Sequence, residues 1–134
     1  MVRKIAHVAF AVKDLNASVE LFAKVFGKRP DHHESVPDQL VDSAMFSVGD
    51  SAIELLQASA PDSAITKFIA KRGEGMHHIS FVVDDIEREL ARLKSEGFEL
   101  IDERPRRGAD NYLVAFVHPK TANGVLIEIS QKIE

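Results

Sequence analysis

Placed one over the other, IAHVAFAVKDL (Ile5–Leu15) and MHHISFVVDDI (Met76–Ile86) align His7 with His78, Val8 with Ile79, Phe10 with Phe81, Val12 with Val83 and Asp14 with Asp85. Both alternate as β-strands do, sending successive side chains to opposite faces. Each then enters a helical pattern. NASVELFAKVFG (Asn16–Gly27) carries a stripe of Val19, Phe22, Ala23 and Phe26. IERELARLKSEGF (Ile86–Phe98) spaces Ile86, Leu90 and Leu93 helically and stops at Gly97. The ends of the two copies also match. SAMFSVGDSAIELLQ (Ser43–Gln57) resembles LVAFVHPKTANGVLIEISQ (Leu113–Gln131), bringing Phe46 onto Phe116, Glu54 onto Glu128 and Gln57 onto Gln131. The pattern predicts an α+β fold of two tandem βαβββ modules, over about residues 4–57 and 76–131. The linker at 58–75 holds a short helix over 64–71, capped by Asp62-Ser63.

The bulk numbers fit one domain of 134 residues. A formal charge of -4 argues against nucleic acid as the main partner, since phosphate binding draws on excess Lys and Arg. No apolar run approaches the ~20 residues needed to span a bilayer. The N-terminus enters strand pattern without the features of a secretion signal. Cysteine is absent, which excludes disulfides, thiolate nucleophiles and Cys-ligated metals. The expectation is a soluble, cytoplasmic protein.

Strand parity sorts the side chains. Val8, Phe10 and Val12 form one face of the first strand, and His7, Ala9 and Ala11 the other. In the repeat, Ile79, Phe81 and Val83 oppose His78, Ser80 and Val82. The bulky faces suit packing beneath helices, and the small ones are expected to leave room for a cavity. His77 has the parity of Ile79, so it should face or fringe the helix layer, while His78 should face the cavity. Glu54 lies between Ile53 and Leu55, and Glu128 between Ile127 and Ile129, each opposite its aliphatic neighbours. A carboxylate in an apolar strand is costly to bury without a partner. Pairing with Lys or exposure at a sheet edge would account for either one alone. Taken together, His7, Glu54, His78 and Glu128 suit a divalent ion with positions left for water or substrate.

These features resemble the vicinal oxygen chelate superfamily, whose paired βαβββ modules wrap a curved mixed sheet around a metal-containing cavity. IAHVAFAV, GEGMHHISFVVDDI and HPKTANGVLIEISQ are most similar to segments of the methylmalonyl-CoA epimerases within it. The resemblance runs nearly from Lys4 to Gln131. It implies His7, Glu54, His78 and Glu128 as metal ligands. It also implies an acyl-CoA substrate and a homodimer. The implied reaction is metal-dependent epimerisation of (R)- and (S)-methylmalonyl-CoA by proton removal and return through an enolate. Glu128 is the candidate for one proton transfer. Some epimerases carry a glutamate where this chain has Ser43, four residues after Gln39. Asp42 has the wrong parity there unless a bulge re-aims it. The second proton-transfer group therefore stays open among Asp42, Gln39, Glu54 and a metal-bound water.

Two rival readings accompany this one, a glyoxalase I-like lyase acting on a hemithioacetal and a non-catalytic small-molecule binder. Co, Mn, Zn, Ni and Mg are not distinguished by such donors. In ERPRRGADN (Glu103–Asn111), Arg104, Arg106 and Arg107 suit a substrate carboxylate or coenzyme A phosphates, and a solvated loop equally well. Lys67, Lys71 and Arg72 raise the same pair of readings. His32-His33 reads as an exposed loop, and His118 as a residue shaping the turn before Pro119.

Overall fold

The aspartates matched in the repeat, Asp14 and Asp85, are both helix N-caps. Their side chains accept hydrogen bonds from Ala17 N and Arg88 N at 3.1 Å each, as short acidic side chains do at this position. In the computed structural model, which describes residues 1–134 except the side chain of Ala109, α1 spans Leu15–Phe26 and α3 spans Ile86–Ser95. Gly27 ends α1 in the left-handed conformation (φ 68°), which favours glycine. The linker helix α2 covers Ala64–Arg72 and is capped by Ser63. The strands are β1 (Val2–Ala11), β2 (His32–Val36), β3 (Val41–Val48), β4 (Ser51–Ala58), β5 (Gly75–Val83), β6 (Arg106–Arg107), β7 (Tyr112–Val117) and β8 (Ile127–Lys132). Two βαβββ modules are present, and all eight strands belong to one mixed sheet. No helix is long and apolar enough to cross a membrane among the described residues.

Residues 8–77 form one compact unit and residues 1–7 with 78–134 the other, so β1 and β5 each run through both. In the unit of residues 8–77, Phe10, Val12, Ile53, Leu55, Ala44 and Phe46 pack beneath Val19, Phe22, Ala23 and Phe26 of α1. The opposite face holds Ala9, Ala11, Val41 and Leu56. It is not the open cavity expected for small side chains. Ala9 and Ala11 are fully buried because Ile65, Phe68 and Ile69 of α2 pack over them. The small residues make room for a helix here.

In the unit containing residues 78–134, β5 runs parallel to β8, and β8 runs antiparallel to β7, which pairs antiparallel with β6. Phe81, Val83, Ile129, Ala115 and Val117 pack under Ile86, Leu90 and Leu93 of α3. The matched glutamines also share one job. Gln57 Oε1 accepts from Leu15 N (2.6 Å), and Gln131 Oε1 accepts from Ile86 N (2.8 Å). Each satisfies a first-turn N–H that its helix leaves open. Gln57→Ala and Gln131→Ala are each expected to lower stability by about 1 kcal/mol. Urea midpoints at unchanged slope would measure this, and a loss confined to one of the two would break the equivalence.

Candidate metal centre

Register decides what meets on the sheet face opposite α3. Ser80 pairs with Glu128 and Phe116 pairs with Glu128, so Glu128 lies between β5 and β7 neighbours on one face. His78 stands two residues before Ser80 on that face, and Ser130 two residues after Glu128. The expected split of the histidine pair holds. His78 is buried on the polar face. The His77 ring meets Phe68 of α2 edge-on, with centroids 4.9 Å apart.

His7 Nε2 and His78 Nε2 lie 3.1 Å apart. Glu128 Oε1 is 3.6 Å from His7 Nε2, and Oε2 is 3.9 Å from His78 Nε2. Metal bonds of about 2.0–2.2 Å put neighbouring ligand atoms about 3–3.6 Å apart; the two His7 distances fall in that range and the His78–Glu128 distance is slightly wider. The donors' chemistry agrees. Burial holds His7 down to about 4, keeping the imidazole neutral, the form in which histidine ligates metals. Burial also pushes the Glu128 carboxyl up to about 7, while a hydrogen bond from Ser80 and the Arg106 charge pull it partly back. A bound cation would favour the ionised form of this buried carboxyl.

Ser80 shares the His78 face as its parity predicts, and Ser130 and Phe116 are further neighbours that the sequence reading did not name. Ser80 and Ser130 are buried hydroxyls beside Glu128, their Oγ atoms 3.4 Å apart. Phe116 sets its ring edge-to-face against His78 at 5.4 Å and 88°. Of the three arginines, Arg106 reaches this face. Its Cζ lies 5.9 Å from the Phe116 centroid; all three arginines are exposed. Glu54 is half-buried on β4, opposite Met45 and on the Leu56 face, as its parity requires.

Ser43 is buried, its hydroxyl donating to Glu34 O at 3.3 Å. The β3–β4 register runs unbroken from Val41↔Ala58 to Val48↔Ser51, so no bulge re-aims Asp42. Asp42 shares the parity of Ala44 and Phe46, on the side packed against α1. Gln39 ends a single 3₁₀ turn, Pro37–Gln39. His32 and His33 are exposed as expected but belong to β2 rather than a loop, because Glu34, Ser35 and Val36 continue the pairing with β3. His118 shapes its turn, with Nδ1 accepting from Lys120 N at 2.9 Å.

Burial also lowers His77 to about 4. A histidine depressed below its unfolded value near 6.5 contributes stability above that value and loses it as pH falls through the folded one. His77→Phe is therefore expected to flatten the stability loss between pH 6.5 and about 4, leaving the share carried by His7. Thermal midpoints across that window would measure it, and an unchanged slope would count against a buried neutral His77.

Residues 6–116 match the glyoxalase/bleomycin resistance protein/dioxygenase superfamily. The ethylmalonyl-CoA/methylmalonyl-CoA epimerase of Cereibacter sphaeroides is 34% identical over 133 residues, covering 98% of this chain and 99% of that one. The mitochondrial methylmalonyl-CoA epimerase of Dictyostelium discoideum is 35% identical over 130 residues, 96% of this chain and 78% of that one. A methylmalonyl-CoA epimerase solved in complex with methylmalonyl-CoA and NH4+ superposes with a TM-score of 0.91 at 34% identity, covering 98% of this chain and 96% of that one.

Proposed function

We propose that this chain, which belongs to the glyoxalase/bleomycin resistance protein/dioxygenase superfamily, is a metal-dependent epimerase interconverting (R)- and (S)-methylmalonyl-CoA. The observation that carries the reading is the convergence of His7, His78 and Glu128 on one sheet face. It stands together with similarity to methylmalonyl-CoA epimerases over nearly the whole chain. His7, His78 and Glu128 would hold the ion, with Glu54 as fourth ligand, the residue at the place in β4 that Glu128 has in β8. A divalent ion held there would supply positive charge to a substrate oxygen as the carbon beside the thioester becomes acidic.

The protein's own groups carry the proton. Glu128 is buried and its carboxyl lies near neutrality before any cation binds, which suits a group that takes a proton and gives it back. Ser80 and Ser130 hold polar contact beside it where solvent is excluded. For the second transfer Asp42 is the poorest candidate, since it lies on the α1 side of β3. Glu54 is the carboxylate on the opposite face and is proposed for that role alongside its ligation. We further read the two modules as one domain acting as a cytoplasmic homodimer on an acyl-CoA.

The test incubates purified protein with methylmalonyl-CoA in heavy water, with and without added divalent metal. Metal-dependent exchange of the α-hydrogen is the expected result. No exchange alongside clear hemithioacetal turnover would replace the epimerase by a lyase. No turnover of either, with tight small-molecule binding by metal-free protein, would indicate a binder.

A further inference from the structure

We infer that Arg106 is the specificity residue of this site, its guanidinium binding the free carboxylate of the substrate's acyl group; the inference rests on the epimerase reading. Three observations single it out from the other basic residues of the 103–111 segment.

The first is placement. Arg106 pairs with Val114, Val114 with Ser130, and Phe116 with Glu128, so register sets Arg106 on the same face as Glu128 and His78. It stands two strands from β8, about 10 Å across the sheet, within reach of a small acyl group.

The second is anchoring. Arg106 Nε faces Asp102 Oδ1 at 3.5 Å, and Asp102 Oδ2 accepts from Phe116 N at 2.9 Å. The guanidinium lies over the Phe116 ring, which also meets His78 edge-to-face. One carboxylate thus ties the arginine to the strand carrying the ring on which it stacks. The terminal amino groups of Arg106 make no hydrogen bond among the described residues. They leave a planar fork free for an incoming carboxylate, the anion whose two oxygens it matches.

The third is close approach. Gly108 N donates to Tyr112 O at 2.9 Å. A Cβ on Gly108 would lie 2.9 Å from Val114 Cγ1, a distance that forces displacement. Glycine lets the strand bearing Arg106 lie against β7, which a purely solvated loop would not need.

A carboxylate and a phosphate present similar oxygens, so coenzyme A phosphates are the competing source. The experiment separates them with Arg106→Met and Arg106→Lys, each assayed on methylmalonyl-CoA and on methylmalonyl-pantetheine, which lacks the nucleotide and its phosphates. Arg106→Met is expected to lose about 10- to 100-fold in kcat/KM on both thioesters, largely through KM, the size of a hydrogen bond to a charged group. Arg106→Lys should fall between, keeping charge without the fork. Loss on the CoA thioester alone would assign the arginine to a phosphate and overturn the inference. No loss on either would do the same.

Malonate gives a readout free of turnover. Metal-loaded wild-type protein is expected to bind it, and Arg106→Met to bind it at least about 10-fold more weakly at unchanged metal affinity. Equal binding by both overturns the inference. If the wild type shows no α-hydrogen exchange yet malonate binding still depends on Arg106, the epimerase reading fails and the carboxylate site stands.

Discussion

His78→Ala is expected to strip the protein of its metal, and His77→Ala to leave it bound. The two residues are adjacent, so crude proximity does not separate them. Strand geometry does. His78 directs Nε2 to within 3.1 Å of His7 Nε2 and 3.9 Å of Glu128 Oε2, whereas His77 packs its ring on Phe68. Loss of a residue that merely orients a ligand costs roughly 10- to 100-fold in metal affinity. Loss of a ligand itself should cost at least about that much. Metal content after exhaustive dialysis, with a fluorescent-indicator titration for the affinity, would measure it. His77→Phe keeps an aromatic ring on Phe68 and serves as the folded control. Equal metal loss from His77→Ala and His78→Ala, with His77→Phe also depleted, would refute the parity assignment.

Glu128→Gln is the second large effect, and it should separate chemistry from binding. Glutamine preserves the shape, an oxygen donor and the neighbours Ser80 and Phe116, but cannot accept a proton as a carboxylate does. General acid–base groups contribute about 10²–10⁴-fold, so α-hydrogen exchange should fall by about that factor when measured at saturating metal. Metal affinity should weaken too, because an anionic donor becomes neutral; assaying at full loading removes that contribution. Wild-type exchange at full loading would exclude Glu128 as a proton-transfer group and leave it a ligand only.

The repeat made most of this legible. Matching His7 with His78 and Glu54 with Glu128 amounts to a statement about strand parity, a property local enough to read from ten residues. The matched Asp14 and Asp85 are caps, and the matched Gln57 and Gln131 brace helix N-termini, so these pairs record a shared backbone need rather than chemistry. Arg106 was harder. Sequence places it among three arginines of equal standing, and only Asp102 and Phe116 distinguish it. The open cavity expected beside Ala9 and Ala11 failed for a related reason. Small side chains indicate close approach of something, and nothing local says whether it is a ligand or, as here, α2.

Sequence alone thus determined the α+β class, the twofold βαβββ repeat, the helices with their caps, and which of His77 and His78 faces the polar side. These follow from periods of 2 and 3.6 residues and from capping chemistry, all short-range along the chain. Tertiary structure decided that Ser80 and Phe116 flank Glu128, that Asp42 stays on the α1 side of β3, and that Arg106 lies over Phe116. Each of these depends on register between strands far apart in sequence or on which helix covers a face. That choice is made by the packing of the whole core, because a one-residue slip would exchange every side chain between the two faces.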